Sequence, residues 1–214
     1  MTFFKFWVGL GSNIGNRNSF LTKAGDKLQD ISSTPIVKSS IYETPPWGGV
    51  AKDPFLNQVI ELGVTADDLE MWLQNLETEF NHNHLTVHSE WLSDRLRLLF
   101  SKESSNLSSE NRAAEIFMFY LLYVEVILGR DRSTTAIRWD SRIIDLDLLE
   151  MSPRTETYHS LTLTLPHPRL SERQFVLMPW AEIAPQFHLN THNVNVATLQ
   201  TNCPPDLNIR LWNP

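Results

Sequence analysis

Asp145 and Asp147 lie two positions apart in the segment RWDSRIIDLDLL, residues 138–149, among leucines and isoleucines. In an extended strand alternate side chains point to opposite faces, so the two carboxylates are expected to share one face. Close carboxylates on a rigid strand suit Mg²⁺, which takes one or two protein carboxylates and shares its other positions with phosphates and water. The pair therefore indicates a magnesium site, with a solvated strand face as the simpler alternative.

Four arginines precede the aspartates in the sequence: Arg130, Arg132, Arg138 and Arg142. A guanidinium group can bind two phosphate oxygens at once. Magnesium carboxylates beside arginines are typical of phosphoryl transfer, which depends on positioning and on neutralisation of charge. This combination favours an enzyme that transfers a phosphoryl-type group from a nucleotide.

Two other segments have residues suited to binding. The turn GLGSNIGNR (9–17) could present backbone N–H groups and a hydroxyl to a phosphate, although its spacing is neither a dinucleotide fingerprint nor a P-loop. The segments TPPWGG (44–49) and PFLN (54–57) combine rigid prolines with Asn57, whose amide both donates and accepts. Phe55 and Phe175 could stack on a heterocycle there. The alternative for each segment is an ordinary turn with core aromatics.

Composition restricts the class of protein. The chain has 214 residues, a formal net charge of −7 and one cysteine, Cys203. An acidic chain argues against general binding of nucleic acid, and one cysteine fits a reducing compartment. The apolar runs FFKFWVGL (3–10) and IFMFYLLYVEVIL (116–128) resemble neither a targeting segment nor a membrane span, which needs roughly 20 apolar residues. We therefore expect a cytoplasmic protein without a membrane partner.

The pattern of apolar residues predicts alternating strands and helices. Strands are expected at 4–10, 35–44, 55–64 and around 144–149, and helices at 18–30, about 69–76, 113–128 and about 175–185. The stretch 81–112 is polar and rich in serine, which is typical of a loop. This order predicts an α+β sandwich, a mainly antiparallel sheet with helices on its faces.

Taken in order, the motifs resemble the 6-hydroxymethyl-7,8-dihydropterin pyrophosphokinase family of folate biosynthesis. The matching segments are VGLGSNIGNR (8–17), SSIYETPPWG (39–48), PFLNQVIEL (54–62), LGRDR (128–132), RWDSRIIDLDLL (138–149) and LPHPRLSERQFVLMPWAEIAP (165–185). The resemblance implies a ferredoxin-like core and an enzyme that transfers pyrophosphate from ATP to the pterin hydroxymethyl group and releases AMP. It also implies two Mg²⁺ ions and a monomer or weak homodimer.

The resemblance implies a role for individual residues. Asp145 and Asp147 would hold the metal, and Arg130 and Arg142 would act on the phosphates. The pterin would be bound by Thr44, Pro46, Trp47, Phe55, Asn57 and Phe175. The nucleotide would be bound by Glu125, Arg132, Trp139, His167 and Arg173.

The segment at about 81–120 departs from the family pattern. The family helix has a glutamate followed four and five residues later by Gly-Arg, and Glu125 satisfies this spacing, whereas the similar Glu77 leads into Asn81-His82. We therefore expect a catalytic domain at 1–190 interrupted by an insertion at about 81–120, with a C-terminal tail at 191–214 packed on or beside it. FMFYLLYV (117–124) would either continue the family helix into the core or pack on residues 69–80 or on a partner, and we hypothesise that the core tolerates loss of 78–125.

Two other functions stay open at this point. A nucleotidyltransferase also combines a Gly-Ser turn with paired aspartates, although there the two lie closer in sequence than Ser12 and Asp145 do. The chain could also be an inactive pterin- or nucleotide-binding module. The histidines of HNHLTVH, His82, His84 and His88, could form a metal site, but no cysteine or carboxylate completes it, and a polar insertion is the better interpretation.

Overall fold

The computed structural model describes residues 2–46, 51–83, 90–101, 104, 106–130, 141–154, 156–205 and 208–213. The strands are β1 (Phe3–Ser12), β2 (Val37–Lys38), β3 (Tyr42–Thr44), β4 (Phe55–Thr65), β5 (Asp145–Ser152), β6 (Tyr158–His159), β7 (Thr164–Leu165), β8 (His188–Leu189), β9 (Val194–Asn195) and β10 (Arg210–Leu211). The helices are α1 (Arg17–Ile31), α2 (Ala66–Asn83), α3 (Glu90–Leu99), α4 (Ser109–Ile127), α5 (Gln174–Ile183) and α6 (Val196–Asn202).

The main sheet has the strand order β10-β3-β4-β1-β5, and β2 also pairs with β4. Every pairing in it is antiparallel. With α1 after β1 and helices between β4 and β5, the central elements follow the β-α-β-β-α-β order of ferredoxin-like folds. The predicted α+β sandwich with a mainly antiparallel sheet is confirmed.

Apolar side chains cover both faces of the sheet. On β1, Phe4, Phe6, Val8 and Leu10 point into a core that includes residues of α1, α2 and α4. Trp7 points the opposite way, into a smaller core with residues of α5 and α6. Because alternate strand residues face opposite sides, β1 contributes to both cores and lies in the middle of a three-layered molecule.

The alternation predicted for β5 is also present. Leu146 and Leu148 are buried in the core under α4, whereas Asp145 and Asp147 are partly exposed on the opposite face. This is the face that carries Trp7 and α5, so the aspartates lie beside the smaller core rather than in the larger one.

The strand predicted at 35–44 is divided into β2 and β3 at Ser39. The Ser39 hydroxyl accepts a hydrogen bond from the Val59 N–H at 3.0 Å, and the Gln58 amide donates to the Ser39 carbonyl at 2.7 Å. Hydrogen bonds from side chains to the backbone thus replace some of the backbone hydrogen bonds between the strands. A run of residues that favour β-structure does not predict this replacement.

The polar stretch after α2 contains more structure than its composition indicates. Residues Leu92, Leu96 and Leu99 of α3 are buried. Arg112 on α4 pairs with Glu70 of α2 at 2.8 Å and also donates to the Leu99 carbonyl. The expectation of a loop throughout 81–112 is therefore wrong for α3, because three leucines at helical spacing bury one side of an otherwise polar helix.

Helix α4 packs on the sheet and on α2 at the same time. The rings of Phe117 and Phe6 stack with centroids 4.0 Å apart. The helix also packs on Trp72 of α2, whose ring centroid lies 4.9 Å from that of Tyr120 and 5.8 Å from that of Tyr123. The apolar run 117–124 is therefore part of the core, and both intramolecular alternatives for it hold.

Among the described residues, no helix combines the length and the apolar character needed to cross a membrane.

The chain end pairs with the sheet edge near the proline-rich segment. Strand β10 is antiparallel to β3, with Arg210 opposite Glu43. The buried Glu43 carboxylate accepts from Arg210 and also pairs with Arg17 of α1 at 2.9 Å. Hydrogen bonds from Arg210 and Arg17 outweigh the effect of burial and lower the pKa of Glu43. One carboxylate thus links the first helix, the sheet edge and the last strand.

Glu43→Gln is expected to destabilise the protein in a manner that depends on pH. A carboxylate with a lowered pKa in the folded protein contributes stability above the ordinary glutamate pKa of about 4.3. That contribution is lost as the pH falls below this value and through the pKa of the folded protein. The difference in Tm between wild-type and Glu43→Gln should be constant from about pH 7 to about pH 5 and shrink towards about pH 3. A difference that persists unchanged at about pH 3 would contradict the ion-pair account.

Candidate active site

A cleft opens on the face of the sheet that carries the two aspartates. Its floor is formed by Gly9 and Gly11 of β1, which lie opposite Asp147 and Asp145 of β5. A Cβ at Gly11 would come within 3.3 Å of the Asn57 amide oxygen and 3.6 Å of the Phe55 ring. Glycine at position 11 therefore lets the Asn57 and Phe55 side chains approach β1 closely. The full lining is Gly9, Leu10, Gly11, Thr44, Pro45, Phe55, Asn57, Gln58, Val59, Arg142, Asp145, Asp147, Arg173, Phe175 and Val176.

The aspartates are surrounded by arginines from three parts of the chain. Asp145 pairs with Arg130, which follows α4, and with Arg142 at 2.9 Å, just before β5. Asp147 pairs with Arg173 at 2.8 Å, just before α5. The two carboxylates remain 25% and 35% exposed to the cleft. The cations offset the repulsion between the carboxylates, so three guanidinium groups stabilise two anions that lie side by side.

Burial and charge act in opposite directions on two groups beside the aspartates. Burial alone would lower the pKa of Arg130, but the charges of Asp145 and Glu125 raise its pKa overall. Burial lowers the pKa of His167, more than the charge of Asp147 raises it. The Nδ1 atom of His167 lies 3.2 Å from the Arg169 N–H and can accept from it. A neutral His167 therefore carries its proton on Nε2 and can act there as a donor.

Glu125 lies on α4 and is fully buried, with an exposed fraction of 0%. Its carboxylate accepts from the Leu146 N–H at 2.7 Å and from Arg130. Glu77 lies half-buried on α2. Of the two glutamates that resemble the family position, Glu125 is the one placed next to the aspartates, because α4 rather than α2 leads into β5.

The aromatic, amide-bearing end of the cleft adjoins the charged one, because a Cβ at Gly11 would lie 3.3 Å from the Asn57 amide oxygen and 3.9 Å from the Asp145 Cβ. The Asn57 amide donates to the Thr44 hydroxyl at 2.8 Å, which fixes its carbonyl oxygen as the group left to accept. Phe55 and Phe175 both line this end. The Arg173 guanidinium lies 5.7 Å from the centre of the Phe175 ring. A flat heterocycle with donors and acceptors on its edge suits this arrangement.

The sequence model of the 7,8-dihydro-6-hydroxymethylpterin-pyrophosphokinase family matches residues 7–96 and 105–185. The chain belongs to this family. It is similar to the 2-amino-4-hydroxy-6-hydroxymethyldihydropteridine pyrophosphokinases of three bacteria. Identity is 29% for Methylorubrum extorquens, with 89% of both chains covered, and 30% for Bacillus subtilis, with 84% of this chain and 78% of the relative covered. Identity is 32% for Mycobacterium bovis, with 85% of this chain and 73% of the relative covered.

Membership confirms the resemblance drawn from the motifs. The activity of the pyrophosphokinase family is transfer of pyrophosphate to hydroxymethyldihydropterin in folate biosynthesis, with ATP as co-substrate. Most of the predicted site residues lie in or beside one cleft, although they are far apart in sequence. Six residues named from the sequence lie outside the described residues: two tryptophans, two arginines and two histidines, namely Trp47, Trp139, Arg132, Arg138, His84 and His88. Pro46 is described but its neighbour Pro45 lines the cleft.

The polar side chains of the Gly-Ser-Asn turn bond to the segment that precedes β5. The Asn13 side chain accepts from the Arg142 N–H at 2.7 Å and donates to the Ser141 hydroxyl at 3.1 Å. The Ser12 hydroxyl donates to the Ile143 carbonyl at 2.5 Å. These polar groups hold the segment that carries Arg142, and so they position a residue that lines the cleft. Sequence reasoning missed Asn13, and its only signal was an asparagine at a strand-to-helix turn.

Proposed function

We propose that this chain transfers the pyrophosphoryl group of ATP to 6-hydroxymethyl-7,8-dihydropterin and releases AMP. The pterin hydroxymethyl oxygen forms a bond to the β-phosphorus of ATP, the bond between that phosphorus and the AMP oxygen breaks, and the hydroxyl proton is released. Membership in the pyrophosphokinase family supports this reaction. The observation that carries the proposal is a single cleft with an aromatic, amide-bearing end and an end of paired carboxylates and arginines.

The aromatic end would hold the pterin. Phe55 and Phe175 would lie against its two faces, and Asn57, Thr44, Pro46 and Trp47 would recognise its edge. The Asn57–Thr44 hydrogen bond supports this, because it orients the amide before a ligand arrives. A preoriented amide loses little freedom on binding.

The charged end would hold the phosphates. Arg130, Arg142 and Arg173 lie within ion-pair distance of the aspartates, so a phosphate placed near the carboxylates would also be near three guanidinium groups. His167, with its proton on Nε2, would donate to a phosphate oxygen. We also propose Arg132 and Trp139 as residues of the nucleotide side, with Glu125 supporting that side through its hydrogen bond from Arg130.

The residues at this end fit magnesium. Asp145 and Asp147 offer hard oxygen ligands on one strand face, and Mg²⁺ characteristically needs no more than two carboxylates when phosphates and water complete its shell. Bound Mg²⁺, two ions in our proposal, would neutralise charge on the phosphates.

The test is an assay with purified protein, ATP, Mg²⁺ and 6-hydroxymethyl-7,8-dihydropterin, followed by separation of the nucleotides. Pyrophosphoryl transfer releases AMP in proportion to the pterin consumed. Release of inorganic pyrophosphate would instead indicate nucleotidyl transfer, and absence of turnover with retained pterin binding would indicate an inactive binding module. A cytoplasmic monomer or weak homodimer remains our expectation, which light scattering and fractionation would test.

Phe55→Ala and Phe175→Ala are each expected to weaken pterin binding by roughly 5- to 10-fold, because each removes one stacking face. ATP binding should change less than about 2-fold. Calorimetry with each ligand separately measures both. Phe20→Ala, a half-buried ring on α1 away from the cleft, is the control. Equal losses for both ligands would mean that the rings support the fold instead of the pterin.

A further inference from the structure

Glu125 is a buried carboxylate that does not line the cleft. Its exposed fraction is 0%, and the residues around the cleft do not include it. It accepts hydrogen bonds from the Leu146 N–H at 2.7 Å and from the Arg130 guanidinium. A carboxylate removed from water is costly unless it is paired and hydrogen-bonded, and these two donors compensate it. A residue so placed has no free path to a nucleotide in the cleft.

The partners of Glu125 connect it to the metal-site aspartate. The nitrogen of Arg130 that donates to Glu125 also donates to Asp145. Asp145 is the neighbour of Leu146 on β5, so the contacts form a closed circuit from β5 through Glu125 and Arg130 back to β5. The Arg130 side chain is thus held to β5 at two points, directly through Asp145 and indirectly through Glu125, which is bonded to Leu146. It therefore has little freedom to turn.

The end of α4 adds a third constraint on the arginine. The Arg130 N–H donates to the Glu125 carbonyl at 2.9 Å. Gly129 has a φ of 94°, a conformation that favours glycine and that lets the chain turn away from the helix. Arg130 is therefore joined to Glu125 by both its backbone and its guanidinium group.

We infer that Glu125 is a positioning residue that acts through Arg130 and does not itself touch the nucleotide. It holds the guanidinium group against Asp145, where the phosphates are expected, and so replaces the direct nucleotide contact that the resemblance implies. This inference rests on the proposed pyrophosphoryl transfer. It also explains why a fully buried anion stands at the junction of α4 and β5.

Glu125→Gln is expected to lower kcat by roughly 10²-fold, because a small displacement of a catalytic group can cost that much. The glutamine oxygen can still accept from Leu146, but the charge that restrains Arg130 is lost. The KM for the pterin should change less than about 2-fold, since the aromatic end of the cleft is unaffected. Glu77→Gln, the similar glutamate on α2, is the matched control and should behave as wild-type.

A double-mutant cycle with Arg130→Lys separates indirect from direct action. If Glu125 acts through Arg130, the variant with both changes should be no slower than Arg130→Lys alone. Multiplied losses would mean that Glu125 contacts the nucleotide independently, and an unchanged kcat in Glu125→Gln would mean that its role is only structural; either result overturns the inference. If Glu125→Gln does not fold, Glu125→Asp, which keeps the charge on a shorter side chain, replaces it in the same cycle.

The wild-type protein distinguishes failure of this inference from failure of the proposed function. If wild-type protein releases no AMP, the proposed reaction is wrong and the cycle has no basis. If wild-type releases AMP and the cycle is additive, the reaction stands and only the positioning role of Glu125 is rejected.

Discussion

Asp145→Asn and Asp147→Asn are each expected to reduce AMP release by at least roughly 10²-fold while the protein stays folded. Each change removes one anionic oxygen ligand where the phosphates and Mg²⁺ are proposed to meet, and charge stabilisation at such positions is typically worth that much. Turnover at saturating ATP, pterin and Mg²⁺ measures the effect. Near-wild-type turnover in both variants would reject the metal site.

The same strand offers a matched control. Glu150 lies on β5, is buried and pairs with Arg154 at 2.9 Å, but it does not line the cleft. Glu150→Gln removes one carboxylate charge from β5, as the aspartate variants do. We expect it to retain turnover in its folded fraction, so a loss equal to that of Asp145→Asn would mean that any charge change on β5 disturbs the site.

The ion pairs between the aspartates and the arginines change the expected effect of the aspartate substitutions on the stability of the protein. From the sequence alone, removal of one aspartate should relieve repulsion between the two. In the structure Asp145 is the shared anion of Arg130 and Arg142, so its removal leaves two partly buried cations without this partner. We therefore expect Asp145→Ala to lower the Tm, and Asp145→Asn to lower it less because an amide oxygen can still accept.

Phe117→Ala is expected to reduce the free energy of unfolding by about 3–5 kcal/mol, the usual range for a buried phenylalanine. Phe117 is fully buried and stacks on Phe6 at the centre of the larger core. Chemical denaturation of the purified variant measures the loss. Met118→Ala, the half-buried neighbour on α4, is the control and should cost less. Equal costs would mean that α4 is not anchored to the sheet through Phe117.

The packing of α4 also reverses the expectation for a larger change. Deletion of 78–125 would remove α3, nearly all of α4 and the buried Glu125. The sheet face that carries Phe6 and Leu146 would then be exposed to solvent unless α2 moved into the place of α4. We now expect the deleted chain to be insoluble, whereas full-length protein is soluble under the same expression conditions. A soluble deletion variant with a cooperative melt and AMP release would show that α2 can replace α4.

Local sequence patterns determined a large part of this protein. Alternation along β5 placed Asp145 and Asp147 on one face, and the order of strands and helices predicted the antiparallel sandwich. The family was recognised from short motifs, and the matched family model confirms it. These features depend on residues close together in the chain, whose side chains have a direction set by the backbone period alone.

The tertiary structure determined which residues, distant in sequence, contact each other in and beside the cleft. Asn13 holds a segment 129 positions away in sequence, and Glu125 rather than Glu77 binds Leu146 and Arg130 beside the aspartates. A helical period shows that α2 and α4 each have an apolar side, but not which of them covers the sheet. That choice depends on packing between distant segments, and the same packing buries Glu125 and turns Arg130 towards Asp145. Such contacts arise only when the whole chain is folded, because no local pattern states which two surfaces will meet.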